Sequence, residues 1–138
     1  MSAIASLTLA DGQSTPVNHT FAPVGIDANL VAKWVDRSSG IALGFPQVSF
    51  SLREPSKTSR NYRLTAKVIL PVLEVTSPST STGIQPAPTL AYSLLANVDI
   101  VLPERSTAAQ RADLAAYMKN YLANAVITNA IASFEAVY

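Results

Sequence analysis

Five basic side chains, Arg53, Lys57, Arg60, Arg63 and Lys67, fall within one short stretch of the chain together with a single acid, Glu54. Their local balance of +4 stands out on a chain whose formal net charge is only +1. Clustered cations on a nearly neutral protein raise the local potential and attract a polyanion, so phosphate binding is the chemistry this segment suits. A solvated hairpin is the plainer reading of the same charges. The spacing adds information. In QVSFSLRE, Val48, Phe50 and Leu52 alternate with Gln47, Ser49, Ser51 and Arg53. In NYRLTAKV, Tyr62, Leu64, Ala66 and Val68 alternate with Asn61, Arg63, Thr65 and Lys67. Paired strands place their apolar faces together, so their polar faces coincide. The expected product is a plane presenting Ser49, Ser51, Arg53, Asn61, Arg63, Thr65 and Lys67, with hydroxyl and amide groups between the charges.

The inventory for catalysis is poor. His19 is the only histidine and there is no cysteine. No Ser-His, Cys-His or multi-histidine site can form within one chain, and neither a disulfide framework nor a thiolate metal site is available. GxGxxG, GxxxxGK[ST] and DxDxDG-like loops are missing, and no acidic pair shares a strand face in an apolar setting. The chain is expected to be no enzyme and to need no cofactor or metal. His19, on an outer strand, reads as an ordinary polar side chain.

The elements that must position the basic plane read as antiparallel β followed by helix. Ile4–Leu9 and Val17–Phe21 form a candidate hairpin around Asp11-Gly12, a dipeptide suited to a tight turn, with Pro16 and Pro23 bracketing the return strand. Asn29–Val35 is a third strand, QVSFSLRE a fourth, NYRLTAKVILPVL a fifth, and Tyr92–Leu102 the last. Thr76–Pro88 holds six Ser/Thr, three prolines and no charge, which suits an exposed loop. After Pro103, Thr107-Ala108-Ala109-Gln110 fits a capping box, and Leu114, Tyr117, Met118, Tyr121, Leu122 and Ala125 recur at helical spacing. Asn124 or Asn129 is placed to divide the helical stretch in two. Strands followed by helices argue an α+β domain. The expected organisation is one domain over 1–138: an N-terminal β-hairpin (1–24), a sheet of about five strands (29–102) with the loop 76–88, and two C-terminal helices (106–138).

Only 14% of the residues are charged, against roughly 25% in a typical soluble domain. A folded monomer of 14.6 kDa has an expected accessible surface of roughly 6,900 Å². So sparse a charge over that area implies surface buried against other copies of the chain, since obligate interfaces resemble a core cut in half. No membrane partner is expected. Val75–Val98, the longest uncharged stretch, contains three prolines, and the N-terminus lacks the basic region of a secretion signal.

The order of these parts resembles the coat proteins of small positive-strand RNA bacteriophages, the levivirus family, with the Qβ-type coat protein the best likeness. The resemblance is most specific in SLREPSKTSRNYRLTAKV, where Pro-Ser, four polar or basic residues and Asn-Tyr-basic keep register without a gap. It continues from Ser106 to Tyr138, in the helix, break and terminal tyrosine. It holds from Leu43 onward; the first forty residues match in pattern and length.

That resemblance implies an intertwined homodimer whose two sheets join edge to edge, with each subunit's helices crossing onto the partner. It implies an icosahedral virion capsid, assembled in the bacterial cytoplasm, with the sheet toward the genome and the loop 76–88 adapting around the symmetry axes. It further implies genome packaging and an RNA hairpin bound on the sheet as a translational repressor. Asn61, Arg63, Thr65 and Lys67, with Ser49 and Ser51, occupy matching positions. Family members stack a base on a tyrosine of the last strand. Here ungapped counting from Ser106 puts Leu95 at that place, followed by Asn97 and Asp99; Tyr92 reaches it only if about three residues are inserted as a bulge. Tyr92, Asn97 and Asp99 complete the expected RNA-binding set. A stand-alone dimeric RNA-binding regulator and a fibre-type subunit are the competing readings.

Overall fold

The computed structural model describes residues 2–75 and 86–138. Its strands are β1 (Leu7–Ala10), β2 (Asn18–Ile26), β3 (Val31–Val35), β4 (Gln47–Arg53), β5 (Asn61–Leu73) and β6 (Leu90–Pro103), with a 3-10 turn at Ala42–Gly44. Two helices follow, α1 (Ala108–Leu122) and α2 (Ala125–Ser133). The six strands form one antiparallel sheet in the order β1-β2-β3-β4-β5-β6. The α+β class and the chain order agree with the sequence reading. The loop expected at Thr76–Pro88 lies outside the described residues apart from 86–88, which carry no regular structure. Neither helix is long and apolar enough to cross a membrane.

The N-terminal hairpin is part of the sheet, giving six strands rather than about five. β2 does not stop at Pro23 as expected: it continues to Ile26 and pairs with β3. A register shift between Pro23 and Gly25, with Gly25 at φ +148°, absorbs the proline that cannot donate to the ladder. The turn at Asp11-Gly12 is also wider than a two-residue hairpin. β1 and β2 pair only up to Ala10 opposite Asn18, and the Asp11 carboxylate accepts from the Val17 amide (3.0 Å) and the Gln13 amide (3.3 Å). Asp11 therefore organises the loop through its side chain, an Asx-type role.

The helical stretch begins where the sequence indicates. The Gln110 amide donates to the Thr107 hydroxyl (3.2 Å) and the Thr107 amide donates to the Gln110 side chain (3.0 Å), a reciprocal capping box. Of the two candidate breaks, Asn124 is the one used; its side chain accepts from the Val126 amide at 3.0 Å and starts α2.

One face of the sheet is apolar and holds Trp34, Val48, Phe50, Leu52, Val68 and Val98, aligned by strand register. Little of it is fully buried. Among the described residues only Phe21, Trp34 and Asp36 are buried, and neither helix has a buried residue. Trp34 donates from its indole nitrogen to the Ala5 carbonyl (2.8 Å), fastening the segment ahead of β1. The accessible surface of the chain is 10,896 Å², more than half again the roughly 6,900 Å² of a compact monomer of this mass.

The β2–β3 turn carries one strained residue. Leu30 sits at φ 59° and is 72% exposed, while the Asp27 carboxylate accepts from the Asn29 and Val31 amides. The left-handed conformation costs a leucine about 1–2 kcal/mol, whereas asparagine visits it more readily. Leu30→Asn is expected to stabilise the fold by about 1 kcal/mol, read as a higher midpoint of urea unfolding; a lower midpoint would contradict this account of the turn.

Candidate nucleic-acid interface

The opposite face of the sheet gathers the polar residues of β4, β5 and β6 into rows. Ser49 lies opposite Lys67, which lies opposite Asn97; Ser51, Thr65 and Asp99 form the next row; Arg53 and Arg63 face each other in the third. Asn61, opposite Pro103, ends the surface. Nine of the ten sequence candidates therefore share one side of the sheet. The cause is local: unbroken period-two alternation along β4 and the first part of β5, in a register without a bulge from Gln47–Ile69 to Arg53–Arg63.

Tyr92 is the exception and is corrected. It pairs with Val72, on the apolar side of the sheet together with Leu94 and Ala96. A register irregularity does occur, but between Val72 and Leu73, beyond the point at which it could turn Tyr92 to the polar side. Leu95, opposite Ile69, is the residue that the polar side presents there, and it is 62% exposed. The ungapped count from Ser106 thus agrees with the register.

Two features escaped the sequence reading. Lys33 on β3 lies opposite Ser49 and extends the first row to Lys33–Ser49–Lys67–Asn97. Its place between Ala32 and Trp34 in an alternating strand was the available signal. Its ammonium pairs with Asp27 at 3.2 Å. The second feature is an ion pair across the surface: Arg63 Nε lies 3.2 Å from an Asp99 carboxylate oxygen. Both groups are exposed, so the pair is worth at most about 1 kcal/mol and is screened by salt. Among the described residues, no carboxylate stands within ion-pair distance of Arg53 or Lys67. Arg53 and Arg63 are like charges directly opposite one another, an arrangement that is destabilising by itself and is relieved by an anion.

A sheet with one uncovered apolar face and one basic face, joined to helices that cover neither, defines a self-associating structural subunit. Comparison with known proteins gives the class its family. The sequence profile of the levivirus coat protein matches residues 2–138. The capsid protein of Pseudomonas phage PRR1 is 32% identical over 106 residues, which is 77% of this chain and 75% of that one. The structure of the virus-like particle of bacteriophage ESE058 superposes with a TM-score of 0.90 at 33% identity, covering 99% of this chain and 100% of that chain. An unassembled virus coat protein dimer, described as a bacteriophage RNA-binding dimer, shares the fold at 22% identity and a TM-score of 0.60, with 97% of each chain covered. The chain belongs to the levivirus coat protein family. It is a structural capsid protein of an RNA bacteriophage and not an enzyme. The stand-alone regulator and the fibre subunit are set aside by that membership.

The register lets experiment separate the two candidates for the base-stacking position, Tyr92 and Leu95. Tyr92→Ala is expected to leave affinity for single-stranded RNA unchanged, because position 92 lies on the other side of the sheet. Leu95→Tyr is expected to raise it, since a base stacked on an aromatic is worth about 1–3 kcal/mol. Filter-binding titration of the two variants checks both.

Proposed function

We propose that this coat protein works as an intertwined homodimer, binds genomic RNA across the joined sheets, and holds one RNA hairpin there as a translational repressor. The observation that carries the RNA reading is the shared polar side of β4, β5 and β6, on which Arg53, Arg63 and Lys67 stand among the hydroxyl and amide groups of Ser49, Ser51, Thr65, Asn61 and Asn97. Cations supply affinity through counterion release, and the neutral groups between them supply hydrogen bonds to unpaired bases and sugar hydroxyls. Leu95, in the row next to Lys67 and Asn97 at one end of that surface, offers an apolar contact to a base without aromatic stacking. The related dimer described as RNA-binding is consistent with this reading.

The dimer reading is supported by what one chain leaves uncovered. Phe50, Leu52, Val68, Leu70 and Leu94 on the sheet are exposed, and so are Leu114, Tyr117, Tyr121, Leu122 and Ile131 on the helices. Two apolar surfaces that do not meet within one chain meet if the helices cross to a partner. β6, fourteen residues long, is the outer strand of the sheet. A long unpaired edge is a template for pairing, and a second β6 fits it. Dimers then close into a shell through several weak contacts each, which makes assembly steeply concentration-dependent. The setting for this assembly is the cytoplasm of the bacterial host, where the genome is made.

Joint replacement of Arg63 and Lys67 by alanine tests the RNA surface. The double variant is expected to form folded dimers, to package less RNA, and to bind RNA with a slope of log affinity against log salt smaller by about 1.4 in magnitude, two single-strand contacts of about 0.7 each. Particle absorbance at 260 and 280 nm, electron microscopy and binding over a salt series supply the readouts. Unchanged RNA content and an unchanged slope would remove the sheet face from the mechanism.

A further inference from the structure

We propose that His19, Asp11 and Asp36 form a proton-dependent clasp that fastens the N-terminal hairpin to the sheet and releases it in alkaline solution. His19 Nε2 lies 3.1 Å from an Asp11 carboxylate oxygen, and Nδ1 lies 3.1 Å from an Asp36 carboxylate oxygen. A neutral imidazole has one N–H and one lone pair, so it can donate to only one of these two acceptors; the charged ring donates to both. The geometry is therefore that of an imidazolium held between two carboxylates.

The three residues come from three separate pieces of chain. Asp11 opens the β1–β2 loop, where its carboxylate also accepts from the Val17 amide. His19 is in β2. Asp36 follows β3, is only 5% exposed, and accepts from the Ser38 amide at 3.0 Å. The ring thus ties the hairpin loop to the segment that leaves β3, and no other described side chain spans these pieces by hydrogen bond. Arg37 lines the same open cleft as His19, with Asn18, Thr20 and Ser38. Its charge opposes the imidazolium, so the two aspartates must outweigh it.

The direction of titration agrees. The bond to Asp11, followed by that to Asp36, holds His19 above its ordinary value of 6.5 against the opposing effect of desolvation. The Val17 amide and then His19 hold Asp11 below its ordinary value of 3.8. The Ser38 amide, and more weakly the His19 ring, does the same for Asp36. A raised histidine contributes stability that is complete below pH 6.5 and is lost as pH rises through its folded-state value. A lowered carboxylate contributes stability that is present above pH 3.8 and is lost as pH falls through its folded-state value. The clasp is closed between these limits. Above the upper one, the neutral ring abandons one carboxylate and turns a lone pair toward it.

The test needs no RNA and does not depend on the RNA-binding reading. Deuterium exchange of the purified protein, followed by mass spectrometry and corrected for intrinsic rates, gives the protection of residues 7–21 relative to residues 47–73. In the unaltered protein that ratio is expected to fall between pH 6 and pH 9, by up to about tenfold for each unit by which His19 is raised. In His19→Gln the ratio is expected to be low and flat. In Asp11→Asn, which removes the largest cause of the raised value, the fall is expected at lower pH. A flat ratio in the unaltered protein, the same fall in His19→Gln, or an unmoved fall in Asp11→Asn would overturn the proposal.

Discussion

A sheet that is apolar on one face must bury that face, and in this chain the layer that could cover it stands apart. β5 and β6 run as a long antiparallel ribbon whose apolar residues stay partly exposed, while α1 and α2 bury no residue. The hydrophobic effect acts on surface removed from water, so most of the stabilisation available to this composition is unrealised until a second chain is present. That constraint accounts for the large accessible surface, for the scarcity of charge, and for helices capped firmly at Thr107 and Asn124 though neither buries a residue. Capping and a short break make the helical arm a preformed unit that needs no ordering when it meets its partner.

The polar face answers a different constraint. A shell subunit must be nearly neutral to pack beside its copies and yet attract a polyanion on one side. Confining five cations to β4, β5 and the turn between them satisfies both. Asp99 beside Arg63 and Asp27 beside Lys33 moderate the field without cancelling it, and Arg53 opposite Arg63 keeps the local charge positive. Because the side chains are exposed, their attraction is sensitive to salt, which leaves strength to the number of contacts rather than to any one of them.

At the other end of the sheet β2 joins the N-terminal hairpin to β3 by a ladder from Ala22 to Ile26, and side-chain bonds add to it. Trp34 reaches the Ala5 carbonyl, and His19 bridges two aspartates. Polar fastening of this kind is weaker and more condition-dependent than burial. It adds a condition-dependent attachment at Asp11 and His19 to the β2–β3 ladder that begins at Ala22.

Alternation of apolar and polar residues is a property of each strand by itself, and so the polar plane of Ser49, Ser51, Arg53, Asn61, Arg63, Thr65 and Lys67 could be written down from the sequence, as could the capping box at Thr107 and the lack of catalytic groups. Period two decides the side of a side chain locally, and sterics and hydrogen bonding within four residues decide a cap. What the tertiary structure alone decided lies across strands or across loops. Whether Tyr92 or Leu95 lies on the polar side of the sheet depends on where the β5–β6 register slips, and a slip of one residue reverses every side chain beyond it. Whether β2 ends at Pro23 depends on Gly25 taking up the proline in a bulge. That His19 is an imidazolium between two carboxylates depends on residues far apart in the chain arriving at one cleft. That the helices leave their own sheet bare depends on the path of the chain after Pro103. Each of these is a relation between distant segments, and no local pattern of residues encodes it.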